Sequence, residues 1–215
     1  MVITIYGRCL SPYVKLVLFG LYERNVDEFE IVPINPHDPE LVTNVSPFGK
    51  VPGVVIDGLA LSESRAILKY IVTKFEIEGS NLMGSTAEEK AKVDMWIDLE
   101  TMILHPAVMA LNGHLYNRPN FYSKETNQVA VAENIPKVEK ILDVYDAHLA
   151  KNKYLAGDFF SIADMIHIPP LYILVNKSRC ASMFTSREHL KAWWEDISSR
   201  PSWKKVLENN TEDCE

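Results

Sequence analysis

The spacing of apolar and polar residues changes character about a third of the way along the chain. Residues 2–6 (VITIY) are β-branched and aromatic, which predicts a buried strand. Residues 12–24 (PYVKLVLFGLYER) carry apolar side chains at helical spacing behind a proline suited to a first turn, which predicts a helix. FEIVPI over 29–34 predicts a second strand. VPGVVIDG over 51–58 predicts a third, turning at Asp57-Gly58 into the return strand LAL. SESRAILKYIVTKF over 62–75 predicts a helix with Ser62 as its cap. The order βαβ–ββα implies an α/β domain: a small mixed sheet covered by helices.

Beyond FEIEGSNLMG the strand signal fades, and amphipathic stretches follow over 86–115, 125–150, 161–178 and 186–209. The pattern predicts an α/β domain over 1–78, a linker over 79–85 and an all-helical domain over 86–215. No internal repeat or low-complexity tract interrupts it. After the loop Gly157-Asp158-Phe159-Phe160, the run Ser161-Ile-Ala-Asp164 has the form of a capping box, with aspartate in place of the usual glutamate and apolar flanks able to staple. That box is read as structural.

Composition narrows the function. The chain is 47% hydrophobic and 24% charged, as in ordinary globular proteins. A net charge of -7 without a basic run argues against nucleic acid or an anionic membrane as partner. No apolar run is long enough to span a bilayer, and MVITIYGR lacks a charged leader, so neither a membrane segment nor a secretory signal is expected. Three cysteines, Cys9, Cys180 and Cys214, suit a reducing compartment better than a disulfide framework. Cys214 lies in the polar tail ENNTEDCE, which is expected to fray. A cytoplasmic protein is the expectation.

Three short stretches then suggest chemistry. In YGRCLSPYVKL, Ser11 follows a strand and begins a helix, where free amide groups and the helix dipole favour an anion. Its hydroxyl can cap the helix, or it can hold a bound thiol as thiolate. In SPFGKVPGVV, Val51-Pro52 is a candidate cis bond, and it leaves Val51 a short edge able to pair with an extended peptide. In LSESRAI, Glu63 and Ser64 open a second helix: the acid suits an ammonium, while the serine and its amide suit a carboxylate. Each stretch alone also has a structural reading. Together on one βαβ–ββα unit they describe a site for a small extended peptide-like molecule with a free amino-acid end and a thiol.

The stretches YGRCLS, PFGKVP, ESRAILKYI, YLAGDFFSIAD and AWWEDISSRPSWKK resemble the cytosolic glutathione transferases, in particular the phi class of plants. The resemblance spans nearly the whole chain and implies a thioredoxin-like N-terminal domain followed by an all-α domain. It implies conjugation of glutathione, as co-substrate and with no other cofactor or metal, to hydrophobic electrophiles. The family's catalytic hydroxyl falls four residues after the glycine of the Tyr-Gly pair, which makes it Ser11; Cys9 comes two residues too early for thiol exchange. His37, Lys50, Val51, Pro52, Glu63 and Ser64 are implied glutathione ligands, with Lys50 standing where phi proteins commonly have glutamine. The loop INPHDPELVTNVSPF is shorter than in typical phi relatives, which bears most on His37. Leu10, Pro12, Met109, Leu111, His114, Leu115 and Tyr172 are the expected lining for the electrophile, lying between the domains. A homodimer with Phe48 inserted into its partner is also implied. The rival reading is a carrier of flavonoids or other hydrophobic metabolites, with conjugation weak or absent.

Overall fold

In the computed structural model, residues 1–39, 45–178 and 180–208 are described. Residues 40–44, residue 179 and residues 209–215, which include Cys214, lie outside them. Contacts divide the chain into two units: Met1–Met83 with the segment from Ser199 on, and Gly84–Ser198.

The first unit is a four-stranded sheet in the order β2-β1-β3-β4, with β1 Ile3–Tyr6, β2 Glu30–Val32, β3 Gly53–Ile56 and β4 Leu59–Ser62. β1 and β2 are parallel, and the other neighbouring pairs are antiparallel. Ile3 and Ile5 alternate with half-buried Thr4 and Tyr6, so one face of β1 enters the core. That face meets α1 Pro12–Glu23 and α2 Ser64–Lys74, which bury Val14, Val17, Leu21, Ile67, Leu68 and Ile71. Gly20 allows the two helices to approach: a Cβ there would lie 2.5 Å from Leu68 Cδ1. The helix at α2 starts later than the pattern predicts. Ser62 ends β4 and is not the cap; that position falls to Glu63.

The sequence pattern groups 86–215 together, whereas the last helix, α11 Pro201–Glu208, packs on α1 in the first unit. Trp203 meets Phe19 edge-on at 5.6 Å. Arg200 and Ser202 bond Glu23, and Lys205 pairs with Asp27 at 2.6 Å while lying 4.6 Å over the Tyr22 ring. Pro201 breaks the predicted 186–209 helix because it cannot donate an amide to the preceding turn.

The second unit is helical. α3 Ala87–Leu99, α4 His105–Asn112 and α5 Arg118–Phe121 are joined by π-helical turns over Glu100–Leu104 and Gly113–Asn117. Pro106 and Pro119 each come two residues after a π turn. A proline lacks the amide the ladder needs and crowds the preceding carbonyl, and the widened turn accommodates both. α6 Gln128–Leu149, α7 Ile162–Met165, α8 Ile168–Tyr172, α9 Ser182–Thr185 and α10 Glu188–Ser198 complete the unit. The predicted 161–178 helix is thus two short helices followed by a π turn over Ile173–Lys177. No helix among the described residues is long and apolar enough to cross a membrane.

Several of the polar groups buried in this unit find hydrogen-bond partners. Asn112 donates to Pro170 O at 3.0 Å and accepts from Ser178 Oγ at 3.1 Å, tying α4 to the segment around α8. His167 Nδ1 faces Ala163 O at 2.5 Å, which fixes it as donor, so its Nε2 accepts from the Tyr145 hydroxyl at 3.0 Å. Burial and the Glu100 carboxylate push the Tyr145 phenol upward, so it stays a donor. Glu100 itself is enclosed, with His105 Nδ1 at 3.2 Å.

Candidate active site

Strand register assembles the site. Val32 pairs with Tyr6, Tyr6 with Gly53, and Gly53 with Ser62, a row that crosses all four strands. Each segment expected to bind a ligand leaves the sheet from this row. The Ser11 turn follows Tyr6, the loop with His37 follows Val32, Val51-Pro52 leads into Gly53, and Glu63-Ser64 follows Ser62. Gly7 keeps the row tight, because a Cβ there would lie 2.6 Å from Val14 Cγ2 and 3.4 Å from Val51 Cβ.

Ser11 is the N-cap of α1 and is half-buried. Its Oγ accepts from the amides of Tyr13 and Val14 at 3.3 and 3.5 Å. Both contacts use lone pairs, so the hydroxyl hydrogen is left to donate outward. No acid stands in the first turn of α1 to cancel its dipole. The structure shows Ser11 as the cap of α1, and accepting in that role leaves its O–H available as a donor. Cys9 is 2% exposed, and its sulfur is engaged in a disulfide instead of packing as a lone apolar group, so it offers no thiolate.

The Val51-Pro52 bond is cis, as the sequence suggests. Pro52 is buried, and Val51 packs against Ile34 and Val45. Ser46, which the sequence reading passes over, organises the approach. Its Oγ accepts from the Lys50 amide at 3.1 Å and its carbonyl from Gly49 at 2.8 Å. The signal that could have found it is the Ser-Pro pair ahead of a glycine, a turn initiator. Lys50 projects into solvent. His37 is exposed at φ 65°, and its amide donates to Gly49 O at 2.6 Å, so the two loops are stitched beside one another.

Glu63 caps α2 with backbone only: φ is 66° and its side chain makes no capping bond. A non-glycine residue in this region carries about 1–3 kcal/mol of strain, retained where surrounding structure demands it. Ser64, at 6% exposure, occupies the first position of the helix. The carboxylate of Glu63 is thus free beside an uncapped helix start, an arrangement that suits a zwitterionic end group.

The expected electrophile-lining residues fall into two groups. Leu10 is 47% exposed on the Ser11 turn and Pro12 opens α1. In the helical unit, Met109 on α4, His114 and Leu115 in the π turn and Tyr172 at the end of α8 are half-buried. Leu111 corrects the expectation: at 0% exposure it belongs to the core of that unit, on the same helical stripe as buried Leu104 and Val108. Phe48 is 76% exposed. Among the described residues no cluster of three or more histidine, cysteine, aspartate or glutamate side chains could hold a metal ion.

Comparison with known proteins shows the family and the fold. Residues 5–81 match the profile described as glutathione S-transferase, N-terminal domain, and residues 97–201 the one described as glutathione S-transferase, C-terminal domain. Glutathione S-transferase F9 of Arabidopsis thaliana is 38% identical over 212 residues, covering 96% of this chain and 97% of that protein. The crystal structure of glutathione transferase F7 from Populus trichocarpa superposes with a TM-score of 0.89 at 38% identity, covering 97% of this chain and 99% of that one. Glutathione S-transferase I from maize, solved with an atrazine glutathione conjugate, gives 0.86 at 36% identity, covering 96% of each chain.

Proposed function

The chain belongs to the glutathione S-transferase family, in its phi class, and from that premise we propose that Ser11 holds the glutathione thiol as thiolate for attack on hydrophobic electrophiles. The row Val32–Tyr6–Gly53–Ser62 carries this reading, because it lines up the candidate ligands in the order of the tripeptide. Glu63 takes the ammonium of the γ-glutamyl group, and Ser64 with its amide takes the carboxylate beside it. The Val51 backbone pairs with the cysteinyl residue ahead of Pro52, and Lys50 and His37 meet the glycine carboxylate.

The sulfur then lies at the Ser11 turn. The hydroxyl donates to the thiolate, and the unopposed dipole of α1 adds to the preference for the anion. The thiol proton leaves to solvent. The thiolate lone pair forms a C–S bond, and the leaving group departs with the electrons of its own bond. This chemistry calls for no cofactor. The relative solved with an atrazine glutathione conjugate supports apolar electrophiles as the second substrate. Phe48 is proposed to sit at the contact of a cytoplasmic homodimer, where burial would remove its exposed ring from water.

The test titrates the thiolate absorbance of bound glutathione and measures conjugation of an aryl halide by the same preparation. The expected result is an apparent thiol pKa at least about 1 unit below the free value near 8.5, with turnover. Glutathione and a hydrophobic ligand binding side by side without conjugation would replace this reading with carriage.

A further inference from the structure

On the turn between Gly7 and Ser11 stands a cation that the glutathione ligands described above do not include. Arg8 donates through Nε to Asn35 Oδ1 at 3.1 Å. Among the described residues this is the guanidinium's one hydrogen bond, and no carboxylate pairs with it. In a chain of net charge -7, Lys74 pairs with Asp57, Arg187 with Asp143, Arg200 with Glu23 and Lys205 with Asp27, while Arg24 donates to Ser80 and Arg118 to the Glu125 carbonyl. Arg8 is instead anchored by a neutral amide, which fixes the plane of the fork and leaves both Nη groups open.

Its place is set by the backbone. The Ser11 amide donates to Arg8 O at 2.9 Å, closing a tight turn over Arg8–Ser11. Asn35 lies on the loop leaving β2, so the Arg8–Asn35 bond bridges the carboxyl ends of the two parallel strands. That is where open α/β sheets bind their ligands. The same turn exposes Leu10 and presents the Ser11 hydroxyl. A cation, an apolar side chain and a thiolate donor within four consecutive residues suit a molecule with an apolar body and an anionic group.

We infer that Arg8 is a specificity-determining residue that favours electrophiles bearing a carboxylate or sulfonate. The inference rests on the transferase reading above. In a chloronitroaromatic acid, the thiolate adds to the ring carbon that carries chlorine, the C–S bond forms, and chloride leaves with the C–Cl electron pair. The carboxylate is untouched and serves only to dock on the Nη groups.

The experiment compares kcat/KM for chlorodinitrobenzene and for the anionic chlorodinitrobenzoate, in wild type, Arg8→Gln and Arg8→Lys. Arg8→Gln is expected to lower the benzoate value about tenfold or more, because a charge-assisted fork is lost, and to leave the neutral substrate within about twofold. KM for glutathione should hold, Arg8→Lys should fall between, and added salt should erode the benzoate preference of wild type. An equal loss on both electrophiles, or a raised KM for glutathione, would place Arg8 on the thiolate or on glutathione and overturn the inference. So would an unchanged benzoate rate. Calorimetric binding of dinitrobenzoate separates the two readings. If neither electrophile turns over, the transferase reading fails, yet weaker binding by Arg8→Gln still upholds the anion site and equal binding still refutes it.

Discussion

The helix starts of the two units are finished differently. In the helical unit, α3 closes its own amides: Thr86 Oγ1 accepts from Glu89 at 3.2 Å, and the Glu89 carboxylate accepts from Ser85 and Thr86 at 2.6 and 3.2 Å. α7 does the same in the interior, where Asp164 accepts from the amides of Ser161 and Leu155 and from Trp193 Nε1. In the first unit, α1 has a serine and no acid in its first turn, and α2 has a cap whose side chain bonds nothing there. A completed cap spends the donors and charge of a helix start on the fold. An open one keeps them for a ligand, at some loss of local stability.

The comparison breaks most sharply at Asp164. Asp164→Ala leaves three buried N–H groups without an acceptor, each worth about 1–3 kcal/mol, so a loss of about 3 kcal/mol or more is expected in urea unfolding. Burial is the main influence on this carboxyl and pushes it up to about 6 against the pull of its donors. The unfolded value is near 3.9, so the folded protein binds the proton first as pH falls. Asp164 therefore contributes most below about pH 4, and its contribution declines by about 3 kcal/mol as pH rises to about 6. The gap between wild type and variant should be wider at pH 5 than at pH 7, and a gap independent of pH would show that Asp164 remains ionised throughout.

Removing the open cap should act on chemistry instead. In the proposed mechanism Ser11→Ala would delete a single donor to the thiolate, a change worth about a hundred- to a thousandfold in kcat by analogy with other preorganised donors. Glutathione affinity should barely move, since the neutral thiol gains little from that hydrogen bond. Stability should fall by about 1 kcal/mol for the lost cap. Wild-type turnover in Ser11→Ala would transfer thiolate stabilisation to the α1 dipole alone.

These helix starts also show what the sequence reveals. Ser11, the cis Val51-Pro52 bond and the Ser161–Asp164 box depend on residues within a few positions of each other, and local pattern finds them. What pattern misses depends on distance along the chain. Glu63 takes over from Ser62 as cap because β4 pairs as far as Ser62, a matter of register with Gly53. Leu111 shares a stripe with Leu104 and Val108 at i, i+4, i+7 spacing while Met109 lies on another face, and only the packing of α4 decides which of these faces points to the core. The packing of α11 on α1 joins residues 177 and more positions apart, as at Arg200–Glu23. Asn35 meets Arg8 through loops 27 positions apart, a proximity no periodicity encodes.

Glu63→Gln tests the second open start. In the proposed site its contact with the γ-glutamyl ammonium would be remote from sulfur and equal in ground and transition states, so KM for glutathione should rise and kcat should hold. Loss of one charge-assisted hydrogen bond predicts a penalty of about 1.5–3 kcal/mol, or about ten- to a hundredfold in affinity. Calorimetric titration of the folded variant measures this, and unchanged affinity would return Glu63 to a purely structural role.

Glu89 provides the smallest effect and the control for the others. It closes α3 in the same geometry by which Asp164 closes α7, but at the surface, where water can replace it. Glu89→Ala uncovers the amides of Ser85 and Thr86 to solvent instead of burying them unpaired, so only the net value of the hydrogen bonds is lost, about 0.5–1 kcal/mol. The dipole contribution of an exposed acid is screened by salt, so part of that loss should vanish in concentrated salt. Activity and glutathione affinity should match wild type, because a finished cap holds nothing in reserve for a ligand. Denaturation midpoints at low and high salt, measured beside glutathione KM, check both halves. A shift in KM comparable to that of Glu63→Gln would mean that closing a helix start does not separate structural caps from binding ones.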